Sequence, residues 1–110
     1  MKTYTVKVDN HGNKSWYSNG KLHREDGPAV EYANGDKRWY INDQLHRKDG
    51  PAIEYASGYK CWYINDQLHR KDGPAIEDAH GNNAWYLNGK LVTEQDVLNL
   101  SQTLEIEGVK

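Results

Sequence analysis

The dipeptide Trp-Tyr occurs four times, at 16–17, 39–40, 62–63 and 85–86, always at an interval of 23 residues. A fixed period of this length means one supersecondary unit repeated, each copy burying its apolar face on its neighbours. Such an array offers the same groups at intervals, whereas catalysis needs dissimilar groups converging on one locus. No Ser-His-Asp arrangement, phosphate loop or carboxylate pair stands outside the repeat pattern. The expectation is therefore a non-catalytic array with no cofactor and no metal.

Aligned at this period, Gly12, Gly35, Gly58 and Gly81 form one column, followed by the Trp-Tyr pairs. Asn19, Asn42, Asn65 and Asn88 come next, each followed by Gly or Asp, and then Leu22, Leu45, Leu68 and Leu91. Three copies continue His-Arg-(Glu/Lys)-Asp-Gly-Pro-Ala-(Val/Ile)-Glu, at 23–31, 46–54 and 69–77. Trp39–Glu54 is identical to Trp62–Glu77, which points to a recent duplication.

Each unit reads as β structure. Ala29–Tyr32 predicts a short strand, Ala33–Asp36 a turn and Lys37–Ile41 a second strand. Asn-Gly between β-rich runs signals a hairpin because both residues tolerate positive φ. Alternation puts Trp39 and Tyr40 on opposite faces, with Ile41 beside Trp39. Asn42-Asp43 predicts another reversal, Leu45-His46 a brief extended piece, and Asp49-Gly50-Pro51 a break. In a chain with no Phe, Trp16, Trp39, Trp62 and Trp85 are expected to fill the interior while the tyrosines line the other face.

Residues 1–11 predict a leading strand at Tyr4–Val8, and 12–92 about four β-hairpin repeats with the last truncated. Residues 93–110 form an acidic tail in which Thr93 is placed as a helix N-cap with acids in the first turn. Val97, Leu98, Leu100 and Leu104 follow at roughly helical spacing, so 94–104 predicts an amphipathic helix capping the array. The fold class is mostly β: an open, twisted antiparallel array with a C-terminal capping α-helix.

The 110 residues carry a formal charge of −2, without the bulk cationic attraction that nucleic acid or membrane would exploit. Residues 93–110 hold four acids against one lysine, so the acidity belongs mostly to the tail. No apolar run suits a signal peptide or membrane span, and a lone Cys61 suits a reducing compartment. A cytoplasmic setting is expected. Cys61 itself, at a position held elsewhere by Ser15, Arg38 and Ala84, reads as a small filler.

The spacing Trp-Tyr-x-Asn-Gly-x-Leu-His-x-x-x-Gly-Pro-Ala, followed by a Tyr and a turn Gly, resembles the MORN repeat over about residues 12–91. Arg24, Arg47 and Arg70 follow His where Gly is usual, and Gly-Pro-Ala replaces Gly-x-Gly, as in divergent bacterial and viral variants. The resemblance implies an elongated twisted sheet that binds another protein or dimerises, and a small phage or bacterial accessory protein inhibiting a host defence or toxin system.

The histidines, with equivalent positions roughly 10 Å apart, do not converge on one ion; the expectation is that His packs on a neighbouring Trp and that Asp26, Asp49 and Asp72 hold the Asp-Gly turns. Arg24, Arg47 and Arg70 either pair with Glu31, Glu54 and Glu77 or the neighbouring Asp, or present a positive ladder. Tyr17, Tyr40, Tyr63 and Tyr86 suit a protein-binding face, because Tyr combines contact area with low entropy cost. These seven residues are the expected partner-binding set. The partner is expected to be another protein of unspecified identity, with a homodimer through the open sheet edge as a further form of association. The alternative is a nucleic-acid or phospholipid binder working through the arginines.

Overall fold

A computed structural model describes residues 3–100. It contains fourteen short strands: β1 (Thr5–Val8), β2 (Lys14–Ser18), β3 (Lys21–Leu22), β4 (Val30–Glu31), β5 (Lys37–Arg38), β6 (Tyr40–Ile41), β7 (Gln44–Leu45), β8 (Ile53–Glu54), β9 (Lys60–Cys61), β10 (Tyr63–Ile64), β11 (Gln67–Leu68), β12 (Ile76–Glu77), β13 (Asn83–Leu87) and β14 (Lys90–Val92). All pair antiparallel with their neighbours in a ten-stranded sheet and two short ribbons, β6–β7 and β10–β11. Backbone bonds from Arg24 N–H to Tyr40 O and from Asp43 N–H to Leu22 O join the first ribbon to β3 of the preceding unit. The result is an open slab of 52 × 36 × 19 Å, one sheet thick in its short dimension.

Register shows how the unit is built. β6 pairs Tyr40 with Leu45, whereas β5 pairs Arg38 with Ile53. Trp39 alone bridges the gap: its carbonyl accepts from His46 N–H at 3.1 Å and its N–H donates to Ala52 O at 2.7 Å. The five residues 47–51 are thus thrown out of the sheet opposite one tryptophan. Trp39 and Trp62 have such an excursion on both sides, and there the strand is interrupted. Trp16 faces Val6 and Trp85 faces Val92 on one side, and β2 and β13 run unbroken.

Two kinds of turn connect the strands. Asn42 and Asp43 lie at φ 50° and 68°, and Asn65-Asp66 repeat this, giving the left-handed pair that matches strand twist. At Asn34-Gly35 only Gly35 is left-handed, at φ 99°, and Tyr32 N–H closes the turn on Asp36 O. This is the three-residue loop with a glycine bulge, so the hairpin expected at Asn34-Gly35 forms with one left-handed residue, and the reversal expected at Asn42-Asp43 forms with two. In the first and last such turns Asp9 and Asp78 replace the tyrosine. Asp9 accepts from the N–H groups of His11 and Asn13, and Asp78 from those of His80 and Asn82. Bonds from Asn13 and Asn82 hold these two carboxyls below the usual carboxylate range.

The expectation of a tryptophan interior needs correcting. All four Trp and the four paired Tyr are only half-buried. The closed core consists of Ala29, Ala52 and Ala75, each 0% exposed, with Val30, Ile53, Cys61 and Val97. Alternation puts each Ala on the Trp side and each Val or Ile on the Tyr side. The first needs a methyl because it lies under a layer of larger side chains; the second fills the opposite surface. β1 pairs with β2 as the sequence suggests. Residues 94–100 are helical, with Thr93 Oγ1 accepting from Asp96 N–H and the Asp96 carboxylate accepting from Thr93 N–H, a reciprocal cap. The 101–104 part of the expected helix lies outside the described residues.

Ala52→Leu should overpack this interior and lower stability by about 1–3 kcal/mol, read as a reduced urea midpoint. An unchanged midpoint would contradict the closed alanine layer.

Candidate functional site

Cα pairing assigns the two faces. Val30 pairs with Arg38, Ile53 with Cys61, and Tyr40 with Leu45, so these share one side with Tyr17, Tyr63 and Tyr86. Glu31 pairs with Lys37, and two residues along lie Trp39 and then Ile41, on the other side. The four expected tyrosines therefore lie on one face, as a half-exposed row. Sequence reasoning missed their companions. Arg38 lies 5.7 Å from the Tyr32 ring centre, and a side-chain bond to Tyr40 raises its already high pKa. Tyr55 and Tyr59 meet edge to face at 5.6 Å. Period two from Val30 to Tyr32 and from Ile53 to Tyr55 was the available signal. Burial raises the Tyr63 phenol, keeping it neutral, and pushes the Cys61 thiol up to about 11, which leaves it an unreactive filler.

The three arginines stand on the Trp face. Arg47 lays its guanidinium over the Trp39 ring at 4.0 Å, donates Nε–H to Asp49 and uses Nη1 for both Pro51 O and Glu54. Arg24 and Arg70 repeat every contact, over Trp16 at 4.0 Å and Trp62 at 3.9 Å. The pairing with glutamate and aspartate is therefore the arrangement found, and each arginine side chain is only 19–23% exposed. On the far side of the guanidinium, a Cβ on Gly50 would come within 2.8 Å of Arg47 Cζ, and one on Gly73 within 2.7 Å of Arg70 Cζ. Gly50 is thus fixed by space above the stack. Asp49, expected to hold its turn through backbone bonds, gives its carboxylate to Arg47 instead.

Each histidine joins two units. His23, His46 and His69 accept through Nδ1 from the backbone N–H of Asn42, Asn65 and Asn88 at 3.1, 3.1 and 2.9 Å. An accepting Nδ1 fixes the neutral ring with its proton on Nε2. Burial, with Lys71 adding repulsion, pulls His69 below 6.5. Beside this bond, the Asp43 and Asp66 carboxylates accept from Leu22 and Leu45 N–H, tying each tight turn to the preceding unit.

Two equivalent grooves run between successive excursions. The first, about 720 Å³, has Trp39, Ile41 and His46 between the 24–27 and 47–49 loops. The second, about 710 Å³, repeats it with Trp62, Ile64 and His69. Among the described residues no group of three or more metal-ligating side chains occurs, and no helix is long and apolar enough to cross a membrane. Comparison with protein-family models, curated proteins and solved structures gives no match.

Gly50→Ala should push Arg47 off Trp39 and cost about 1–3 kcal/mol in urea unfolding; no loss would refute the stacked arrangement. The histidine geometry predicts a separate pH effect. His69 is depressed in the folded state, so the unfolded chain binds more protons near neutrality. Its contribution is complete above 6.5 and is lost as pH falls through the lowered folded value. The urea midpoint should therefore drop between roughly pH 7.5 and 5, a window above the carboxylate range, and His69→Gln should flatten part of that slope. A pH-independent midpoint would remove the neutral acceptor role.

Proposed function

We propose that this chain is a non-catalytic protein-binding repeat module whose contact face carries Tyr17, Tyr40, Tyr63 and Tyr86. One observation supports this above the rest: a single-layer sheet leaves a continuous row of half-exposed tyrosines, backed by Val30, Ile53 and Leu45 and not covered by any second layer among the described residues. Aromatic side chains with an apolar backing and a polar tip suit the centre of a protein interface. The 23-residue hairpin unit agrees with the MORN resemblance, and an inhibitory accessory role remains the expectation that goes with it. Association of two copies through β1 belongs to the same reading: its four residues are all exposed, Val6 and Val8 among them, at the end of the sheet order.

The arginines weigh against the nucleic-acid or phospholipid alternative. Arg24, Arg47 and Arg70 already pair with two carboxylates each, so a polyanion would have to displace those partners. Their role in this reading is to hold the sheet that displays the tyrosines.

A photo-crosslinking residue placed at Tyr40 or Tyr63 should capture a protein in producing cells, whereas one at the exposed Glu94, in the C-terminal helix, should not. The captured complex should withstand about 0.5 M salt, where exposed charge pairs are screened. Tyr40→Ser with Tyr63→Ser should weaken it by about tenfold or more. Adducts with nucleic acid alone, or equal capture from Glu94, would overturn the proposal.

A further inference from the structure

The opposite face carries a second feature, independent of the tyrosine row. The two grooves share Trp and Ile as apolar lining and His on one wall at the 23-residue interval, and differ in charge where Glu25 of the first gives way to Lys48 in the second. Equivalent points in them are two strand widths apart, about 9.5 Å. Among the described residues, no hydrogen bond uses the indole N–H of Trp39 or Trp62, and neither is a buried unsatisfied atom, so both donors remain within reach of solvent. His46 and His69, whose Nδ1 atoms accept from backbone N–H groups, line the same grooves and leave Nε2 as the donor of each ring.

A ligand for such a surface must project an apolar group about every 9.5 Å and offer carbonyl acceptors. A polyproline II helix does both. It advances about 3.1 Å per residue with three residues per turn, or about 9.3 Å between residues i and i+3, and its carbonyls make no internal bonds. A β-strand of the same reach turns residues i and i+3 to opposite sides, and an α-helix places neighbours on one face only about 5–6 Å apart. Aromatic-lined grooves are a recurring receptor for the proline-rich form.

Charge sets the polarity. The first excursion presents two acids, Glu25 and Asp26, whereas the second and third pair one lysine with one aspartate, Lys48-Asp49 and Lys71-Asp72. The Asp26 side chain is 74% exposed. A cation on the peptide is therefore favoured at the Glu25-Asp26 end and has no net attraction further along.

We propose that the Trp39 and Trp62 grooves are consecutive subsites for an extended proline-rich peptide, with residues i and i+3 seated in them and a basic residue over Glu25-Asp26. The indole and imidazole N–H groups donate to the peptide carbonyls. The excursions act as ridges that the peptide crosses once per turn.

The test is titration of the isotopically labelled full chain with the peptide Arg-Ala-Pro-Pro-Ala-Pro-Pro-Ala-Pro, following indole and backbone N–H signals. Saturable shifts should appear at the Trp39 and Trp62 indoles. Rearranging the same residues as Arg-Pro-Pro-Pro-Ala-Ala-Ala-Pro-Pro, in which no two prolines stand three apart, should weaken binding about tenfold, and replacing the Arg by Glu in the first peptide should weaken it about threefold. Equal affinity for the rearranged peptide, shifts confined to the tyrosine face, or no shift at millimolar peptide would each overturn the proposal. None of these results bears on crosslinking from Tyr40 and Tyr63, so the two readings fail separately.

Discussion

The guanidinium of Arg47, held between the Trp39 ring and the Cα of Gly50, is the contact on which the unit turns. A thin sheet with a mean hydropathy of −1.02 has no second layer to cover its hydrophobic surface. The arginine supplies that cover. Its planar cation lies on the indole while its edges satisfy Pro51 O, Asp49 and Glu54. Burying a charge this way is tolerable because the hydrogen bonds and the ring replace water on most of its surface. The motif then follows from one requirement. Gly leaves room above the stack, Pro fixes the carbonyl, Ala fits beneath, and Glu closes the edge. Lysine could not substitute, having no planar fork.

Between units, coupling is mainly polar and local. A histidine, an aspartate and a backbone pair fasten each tight turn to the one before it, and Asp36 Oδ1 accepts from Ala56 N–H in the next turn at the other edge. Both faces are left with side chains only half covered. The tyrosine face carries the tyrosine row with Arg38 and Lys7 beside it, whereas the tryptophan face is ridged by the excursions. A partner for one is therefore a poor fit for the other, and the two proposed interactions need not compete.

The period, the antiparallel strands, the division of Trp from Tyr and the arginine–glutamate pairs were legible because each depends on spacing or on two-residue alternation. The alanine core was not. Trp39 reads as interior by size, yet its ring is covered by a charged side chain, and the fully enclosed residue is the small Ala52. Gly50 reads as a turn glycine, but the arginine stack explains it. His46 reads as an aromatic neighbour, but its Nδ1 reaches a backbone N–H in the following repeat. All three depend on the path of residues 47–51 out of the sheet, which no periodicity encodes. Both kinds of turn were legible in place, but their types were not. Asn-Gly and Asn-Asp both tolerate a left-handed backbone, and only the pairing of the flanking strands shows which pair uses it twice.

The identical stretches Trp39–Glu54 and Trp62–Glu77 gain a different meaning from the turn-to-turn bonds. The ties at the tight turns run from one unit to the next, with the same histidine and aspartate at each of these turns between inner units. An additional unit inserted between them would meet on each flank the same histidine, aspartate and backbone partners that its neighbours now offer one another. Length is thus a free variable of this architecture. Lineages could lengthen or shorten the surface in steps of two strand widths by unequal exchange within the gene, without relearning how to fold.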